Sequence, residues 1–362
     1  MRFYIHQDIR QAETLPAAFY TDPRVFEASK ESIFRKAWHF IGDTSLVRFA
    51  GEIFPFSLLP GILQEPMLLT RPSEDEWCCL SNVCTHRGML VAQNPAKVAS
   101  LRCAYHGRKF SLSGKFETMP EFQDALNFPR SCEDLRQFPL QKWGPLLFTG
   151  LEPEVDIESF IAILQKKIGF WELDRLRFAP ERSKEYLVQA HWALYCENYL
   201  EGFHIPFVHA GLNRVLDYGS YETVLYPHFN LQMGYADGPT EVFALPKDHE
   251  DAGKEVAAYY FWLFPNLMFN FYPWGLSVNV VKPIHPTKTH VAFLTYVYDE
   301  TKLDSGAGTD LDKVEREDEA IVETVQKGLQ SHYYPKGRFS PTREQGVHQF
   351  QQLLASFIGE IA

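Results

Sequence analysis

The chain has 362 residues, 45% of them hydrophobic and 15% aromatic, enough for two domains or one large elaborated one with a sizeable core. The 46 acids outnumber the 35 bases and give a formal charge of −11. That balance excludes the concentrated Lys and Arg surface of a nucleic-acid binder, and it argues against an anionic membrane as partner. Phe occurs 29 times, which suits an apolar pocket as well as an apolar core. The stretch Met1 to Asp8 has no apolar run long enough for a signal peptide, and no other stretch approaches membrane-spanning length. A soluble, cytoplasmic protein is expected. Its six cysteines then read as reduced thiols or metal ligands, with Cys78, Cys79, Cys132 and Cys196 as packing residues.

Residues 1 to about 37 are predicted to be helical and amphipathic. Asp22-Pro23 supplies a turn or cap, and Phe26, Ile33, Phe34 and Trp38 recur at roughly helical spacing. From Trp38 to about residue 150, short apolar runs are separated by Gly, Pro and Asp, the pattern of a small β domain with many turns. Inside it lie Cys84-Thr85-His86-Arg87-Gly88 and, with sixteen residues between His86 and Cys103, Cys103-Ala104-Tyr105-His106-Gly107. Each arm offers one thiolate and one imidazole. A structural zinc site also uses two Cys and two His, but its arms usually pair like with like. Mixed arms allow both cysteines on one iron and both histidines on another, the ligand set of a Rieske [2Fe–2S] centre. Gly88 and Gly107 are expected to let backbone approach the cluster closely.

After Gly150 the pattern is mixed. Ile157 to Gly169 is predicted helical, and Glu185 to Trp192 is predicted as a strand running into a helix that carries Glu201 and His204. Three residues apart, those two share a helix face. His204 and His209, five apart, are separated by roughly 140° on a continuous helix and cannot both reach one ion from it. Pro206 is expected to break the helix and turn His209 back beside His204. Two imidazoles at one point suggest a divalent first-row metal. Residues 256 to 298 read as alternating sheet strands, and Thr301 to Asp312 as a polar surface loop. A charged helix is predicted from about Leu311 to Gln330. On a helical wheel Val314, Ile321, Val325 and Gly328 fall within about 40° of one another; Asp318 lands inside that stripe and Glu317 at its edge. A carboxylate on a buried face needs a cation or strong donors, so Asp318 is the candidate third ligand, completing two His and one carboxylate with open positions for oxygen.

Several of these stretches together resemble the oxygenase component, α subunit, of Rieske non-haem iron oxygenases: Leu15 to Tyr20, Ile33 to Trp38, the two Cys/His loops, Asn198 to His209, and the tail pattern Glu317-Asp318…Glu323…Gln326. The likeness runs along nearly the whole length. It implies an α+β fold, with a β-rich Rieske domain (38–150) inserted into a helix-grip catalytic domain. The latter is an antiparallel sheet around a long helix, formed by N-terminal helices (1–37) and residues 151–362. It implies one [2Fe–2S] cluster on Cys84, His86, Cys103 and His106, and one mononuclear Fe(2+) on His204, His209 and Asp318. Such proteins are homotrimers in which each cluster lies beside a neighbour's iron. By position Glu201 is the carboxylate that bridges His106 of the partner subunit to His204.

The resemblance also implies a monooxygenase or dioxygenase that uses O₂ and electrons from NAD(P)H through a separate flavin/iron–sulfur reductase; no Gly-x-Gly-x-x-Gly fingerprint is present for binding the nicotinamide itself. Many relatives carry Trp where this chain has Arg108, a difference expected to bear on redox-partner docking. Most relatives acting on aromatic rings have Asp at the Glu201 position, whereas Glu is similar to the enzymes hydroxylating choline, carnitine and glycine betaine. A quaternary ammonium substrate is therefore expected, with Trp192, Phe203, Trp262, Phe264, Tyr272 and Trp274 as candidates for an aromatic cage. The alternatives are an oxygenase acting on an aromatic acid, a Rieske electron carrier and a zinc-stapled binding protein. Electron paramagnetic resonance separates the last two from an oxygenase, because zinc is silent and a carrier lacks mononuclear iron.

Overall fold

The computed structural model describes residues 1–211, 217–303, 305–306 and 311–361. The chain forms two compact units, one of Arg35–Pro153 and one of Met1–Phe34 with Glu154–Ala362.

The first unit is built from short antiparallel strands. A five-stranded sheet runs Ala96–Lys97, Glu52–Leu58, Glu65–Ser73, Glu76–Ser81, Gln137–Phe138. Two three-stranded sheets accompany it; in one, Lys109–Phe110 lies between Leu101–Arg102 and Phe116–Thr118. Leu68, Leu80, Leu101 and Phe110 form a core that also takes in Cys84 and Cys103. Cys78 and Cys79 are buried as expected, and burial pushes the Cys79 thiol up to about 12, but Cys132 is exposed. It sits in a 3₁₀ turn, Ser131–Glu133, whose buried member is Glu133.

In the second unit the helices are α1 (Ala17–Thr21), α2 (Pro23–Ser32), α3 (Ile157–Ile168), α4 (Trp192–Tyr199), α5 (Ile205–Val208), α6 (Leu311–Gly328) and α7 (Gln345–Ile358). Asp22 caps α2, accepting from the Arg24 N–H at 2.9 Å, and Asp156 caps α3, accepting from Ser159 at 3.0 Å. Residues 1–16 are not helical. Their backbone is spent on the C-terminal part of the chain instead: Thr14 N–H donates to Gly337 O (3.1 Å), Ala17 to Pro335 O (3.2 Å) and Ile361 to Met1 O (2.9 Å). Those long-range bonds, with Phe3, Ile5, Ala12 and Leu15 buried, override local helical periodicity.

An eight-stranded antiparallel sheet forms the middle. Its path is Arg177–Phe178, Lys288–Val297, Gly275–His285, Leu267–Tyr272, Val256–Leu263, Phe229–Tyr235, Glu222–Tyr226, and Lys184–Val188 also pairs with Lys288–Val297. The inner strands do not alternate in burial; Leu267–Tyr272 is buried throughout. Both faces are covered. On one, Phe160 of α3 packs on Phe229, Phe261 and Phe269 at 5.4, 6.0 and 5.5 Å between ring centroids. On the other, Trp262 meets Phe350 of α7 at 5.2 Å, and Trp192 of α4 meets the same ring at 5.9 Å. The polar stretch expected as a loop falls partly outside the described residues (304 and 307–310). The rest is a 3₁₀ turn at Glu300–Lys302, and α6 already begins at Leu311.

Glu197 ties three helices together. Its Oε1 accepts from the Tyr20 hydroxyl at 2.6 Å and from Gln351 Nε2 at 3.0 Å, and burial raises its carboxyl from 4.5 to about 7. The folded state therefore holds this proton more tightly than the unfolded chain. Stability from this group is present below the unfolded value and declines as pH rises from 4.5 to about 7. Glu197→Gln keeps both bonds without a titrating group. Urea unfolding is expected to show the variant gaining on the parent by on the order of 3 kcal/mol between about pH 5 and about pH 8; parallel pH profiles are the contrary result.

Candidate active site

The helix leaving the sheet edge does not extend to the functional residues. Helix α4 ends at Tyr199, and the Leu200 N–H closes it onto Cys196 O at 3.1 Å. Glu201 and Gly202 lie in a turn. A Cβ on Gly202 would stand 3.1 Å from the Tyr221 ring, a close approach that favours glycine there. The expected break at Pro206 is thus four residues too late. Pro206 instead starts α5, a single turn with His204 at its N-cap and His209 at its C-cap. The Glu201 carboxylate caps this second start, accepting from the backbone N–H of Phe203 and, at 3.1 Å, of His204.

The two imidazoles meet across the ends of α5. His204 Nε2 and His209 Nε2 are 3.1 Å apart, and Asp318 Oδ1 lies 3.0 Å from the latter and 3.5 Å from the former. Each ring's other nitrogen faces a glutamate: His204 Nδ1 is 2.7 Å from Glu201 Oε1, and His209 Nδ1 is 2.8 Å from Glu317 Oε2. Donation from both Nδ1 atoms places both Nε2 lone pairs, with a carboxylate oxygen, on one point. Three acceptors so placed repel one another unless a cation lies between them, and the set fits a divalent metal. Burial lowers the proton affinity of His209, but the Asp318 and Glu317 carboxylates outweigh it and raise the group above the ordinary histidine value. The site as a whole favours positive charge.

Helix α6 brings Asp318 in with a different stripe from the one expected. Ile321 and Val325 are exposed, at 40% and 43%, and the buried line is Asp318, Val322, Gln326 and Leu329. Two of its polar side chains anchor the helix. Glu323 Oε1 accepts from the Gln189 N–H at 2.8 Å and Gln326 Oε1 from the His191 N–H at 2.7 Å, both just ahead of α4. Glu317, read from the wheel as an edge residue, instead touches His209.

Beside the three atoms opens a cavity. Tyr195, Tyr199, Tyr221, Tyr260, Tyr272 and Phe293 supply its aromatic wall, and Asn198, Asn270, Ser277 and Asn279 its neutral polar wall. Of the six expected cage residues only Tyr272 lines it. Trp192, Trp262 and Phe264 are fully buried against α7; Trp274 stacks behind Tyr272 at 5.4 Å; Phe203 is 40% exposed. Sheet register is the missing information: Tyr260 pairs with Asn270, and Ser277 pairs with Asn270, so all point to one face. Glu315, also unforeseen, borders the cavity one turn before Asp318 and accepts from the Tyr195 hydroxyl. Burial, then the Asp318 charge, pushes its carboxyl well above the usual range.

In the other unit the two Cys/His arms adopt the same turn. Cys84 O accepts from Gly88 N–H and Cys103 O from Gly107 N–H, each at 3.0 Å; Cys84 N–H and Cys103 N–H donate to Met89 O and Arg108 O at 2.8 and 2.9 Å. Gly88 and Gly107 take φ of 73° and 75°, so glycine serves the turn in both arms. The thiols are buried; burial, and Cys103 beside it, push Cys84 up. The His86 and His106 rings lie 4.7 Å apart, and His106 Nδ1 is buried with no hydrogen-bond partner. Paired thiols, paired imidazoles and an orphaned ring nitrogen fit a [2Fe–2S] centre. Arg108 is 1% exposed, not part of a docking surface: its guanidinium meets the Glu133 carboxylate at 2.5 Å and lies 4.8 Å from the Phe116 ring.

Comparisons agree with this division. Residues 38–139 match the Rieske [2Fe-2S] domain, and residues 173–360 match the ring hydroxylating alpha subunit (catalytic domain). The chain is 28% identical to choline monooxygenase, chloroplastic, of Arabidopsis thaliana over 96% of its length and 83% of that protein. It is 27% identical to the carnitine monooxygenase oxygenase subunit of Escherichia coli (strain K12) over 96% and 94%. A solved inhibitor complex of the quaternary ammonium Rieske monooxygenase CntA superposes with a TM-score of 0.76 at 22% identity, covering 99% of both chains. Naphthalene 1,2-dioxygenase from Rhodococcus sp. gives 0.69 at 19%, covering 95% and 93%. Fold and site define a Rieske-type oxygenase, an oxidoreductase with a [2Fe–2S] cluster and non-haem iron. The chain belongs to the ring-hydroxylating α-subunit family.

Because Glu317 orients His209, Glu317→Ala is expected to weaken cobalt(II) binding by metal-free protein about 10- to 100-fold, with Glu317→Gln closer to the parent. Titrations followed by the cobalt absorption bands check this; unchanged affinity in the alanine variant would return Glu317 to a solvated edge residue.

Proposed function

We propose that the chain is the terminal oxygenase of a multicomponent system, hydroxylating a small quaternary ammonium compound with O₂ and electrons passed from NAD(P)H by a separate flavin/iron–sulfur reductase. One observation carries the reading: His204 Nε2, His209 Nε2 and Asp318 Oδ1 converge within 3.5 Å at a cavity walled by tyrosines. Cys84, His86, Cys103 and His106 hold the cluster, and His204, His209 and Asp318 hold iron(II). When bound, the cluster supplies single electrons and the mononuclear iron the oxygen chemistry.

The protein's own groups do the rest. Glu201 and Glu317 fix the two imidazoles in the tautomer that presents Nε2. The tyrosines offer ring faces to a cation, and burial keeps the Tyr199, Tyr260 and Tyr272 phenols neutral. Choline and carnitine monooxygenases among the relatives support this substrate class. An aromatic acid is less well served, since the described lining residues include no Lys or Arg.

In this reading the protein works as a homotrimer in the cytoplasm, and Glu201 links His204 to His106 of the partner subunit. Exposed rings at both ends support it: Phe203 and Phe207 beside Glu201 are 40% and 81% exposed, and Tyr105 beside His106 is 55% exposed. A related solved structure is described as giving insight into inter-subunit electron transfer.

Two variants test the assignment. Asp318→Ala is expected to lower iron from about three to about two per subunit with the cluster spectrum intact. Glu201→Gln is expected to keep all iron and a reducible cluster, yet to reduce single-turnover product by orders of magnitude. Full iron in the first variant, or normal turnover in the second, would reject the corresponding role.

A further inference from the structure

We propose that Glu315 is the counter-ion for the substrate's positive charge and makes this cavity select a cation that carries no carboxylate of its own. The inference rests on the quaternary ammonium reading above and narrows it.

The acids of α6 are otherwise accounted for. Asp312 pairs with Lys184 at 2.8 Å, Glu319 with Arg316 at 3.4 Å, Glu317 with His209 at 2.8 Å, Asp318 belongs to the metal cradle, and Glu323 accepts from backbone at 2.8 Å. Glu315 borders the cavity, and its one hydrogen-bond partner among the described residues is the Tyr195 hydroxyl. No Lys, Arg or His among the described residues pairs with it. A half-buried carboxylate without a cation is costly unless something else brings the charge. The cavity is where a cation can arrive.

Its surroundings suit an ammonium head. Tyr260 and Tyr272 form an edge-to-face corner with centroids 5.9 Å apart, and Trp274, outside the lining, stacks on Tyr272. Aromatic faces and a carboxylate together are the donor set for a cation whose methyl groups forbid ordinary hydrogen bonds. Burial and Asp318 hold the free acid towards its protonated form, and a cation brought against it works in the opposite sense.

The polar residues that the sheet strands add to the lining, Asn270, Ser277 and Asn279, are neutral. Tyr199 donates to Asn270 Oδ1 at 2.8 Å, Asn270 Nδ2 to Ser277 O at 3.2 Å, and Ser277 Oγ to Asn279 Oδ1 at 3.0 Å. Such groups accommodate a hydroxyl. A second anionic group on the substrate would share the cavity with the Glu315 carboxylate and meet like charge there. An amino alcohol of the choline kind fits; a zwitterionic betaine does not.

Calorimetric titration of the holoenzyme with choline, its uncharged carbon isostere dimethylbutanol, and glycine betaine tests this. Choline is expected to bind about 10-fold tighter than either of the others. Glu315→Gln, which keeps the bond to Tyr195, is expected to remove that advantage over dimethylbutanol while leaving dimethylbutanol affinity unchanged. Tyr195→Phe, which keeps the carboxylate, should retain the advantage. Glycine betaine binding as tightly as choline to the parent enzyme overturns the proposal with no variant needed. So does a Glu315→Gln enzyme that still prefers choline. If the parent binds no ammonium compound at all, the substrate reading itself falls and takes this one with it, an outcome distinct from the other two.

Discussion

Three acceptor atoms held at one point are the constraint on which the catalytic unit depends. His204 Nε2, His209 Nε2 and Asp318 Oδ1 sit 3.0 to 3.5 Å apart. Nothing in the chain alone favours that arrangement, so each group is held from behind. The Glu201 carboxylate does two jobs at once, orienting His204 and capping the one-turn helix between the histidines. Glu317 orients His209 from the facing helix. That helix is pinned where the chain leaves the sheet, through Glu323 and Gln326 onto the backbone of Gln189 and His191. The pattern Glu317-Asp318…Glu323…Gln326 is therefore one mechanical part: two residues serve the site, and two fix the helix that carries them.

Burial on both faces of the sheet separates two kinds of aromatic residue. Phe160 and its partners fill one side. On the other, Trp192, Trp262 and Phe264 pack edge-to-face against Phe350 of α7, and the tyrosines line the cavity. Phenols combine a ring face with a polar tip, which suits a wall that is part solvent and part protein. The cavity is also electrically one-sided: the ionisable side chains on its described wall, beyond the histidines and phenols, are acids. A cation entering the cavity would relieve that negative field.

In the first unit, Arg35–Pro153, the same economy appears as repetition. Two loops close the same hydrogen-bonded turn, each ended by a glycine at positive φ, and so bury two thiols and face two imidazoles. Arg108, close in sequence to one arm, turns inward to Glu133 instead of outward. A buried guanidinium is tolerated there because carboxylate and aromatic faces meet it together.

Chemistry that is local in sequence is legible from residue types and spacing: the two mixed Cys/His arms, the pair His204 and His209, the sheet strands after residue 256, and the α+β class through the family resemblance. Composition and residue type determine these, because ligand identity and strand formation depend on few neighbours. Asp318 is reached as well, but by a stripe that the structure replaces, since Ile321 and Val325 face outward. What only tertiary structure decided were matters of register and long-range pairing. The N-terminal sixteen residues lie along the far end of the chain. The helix break comes at Glu201 and Gly202, where the Tyr221 ring approaches closely enough to favour glycine. Which aromatics see the cavity depends on strand pairings such as Tyr260 with Asn270. Glu317 and Glu315 look like solvated charges in the sequence because a helical wheel carries no knowledge of what stands opposite. The cost of a buried charge is set by its partners, and those partners come from more than a hundred residues away.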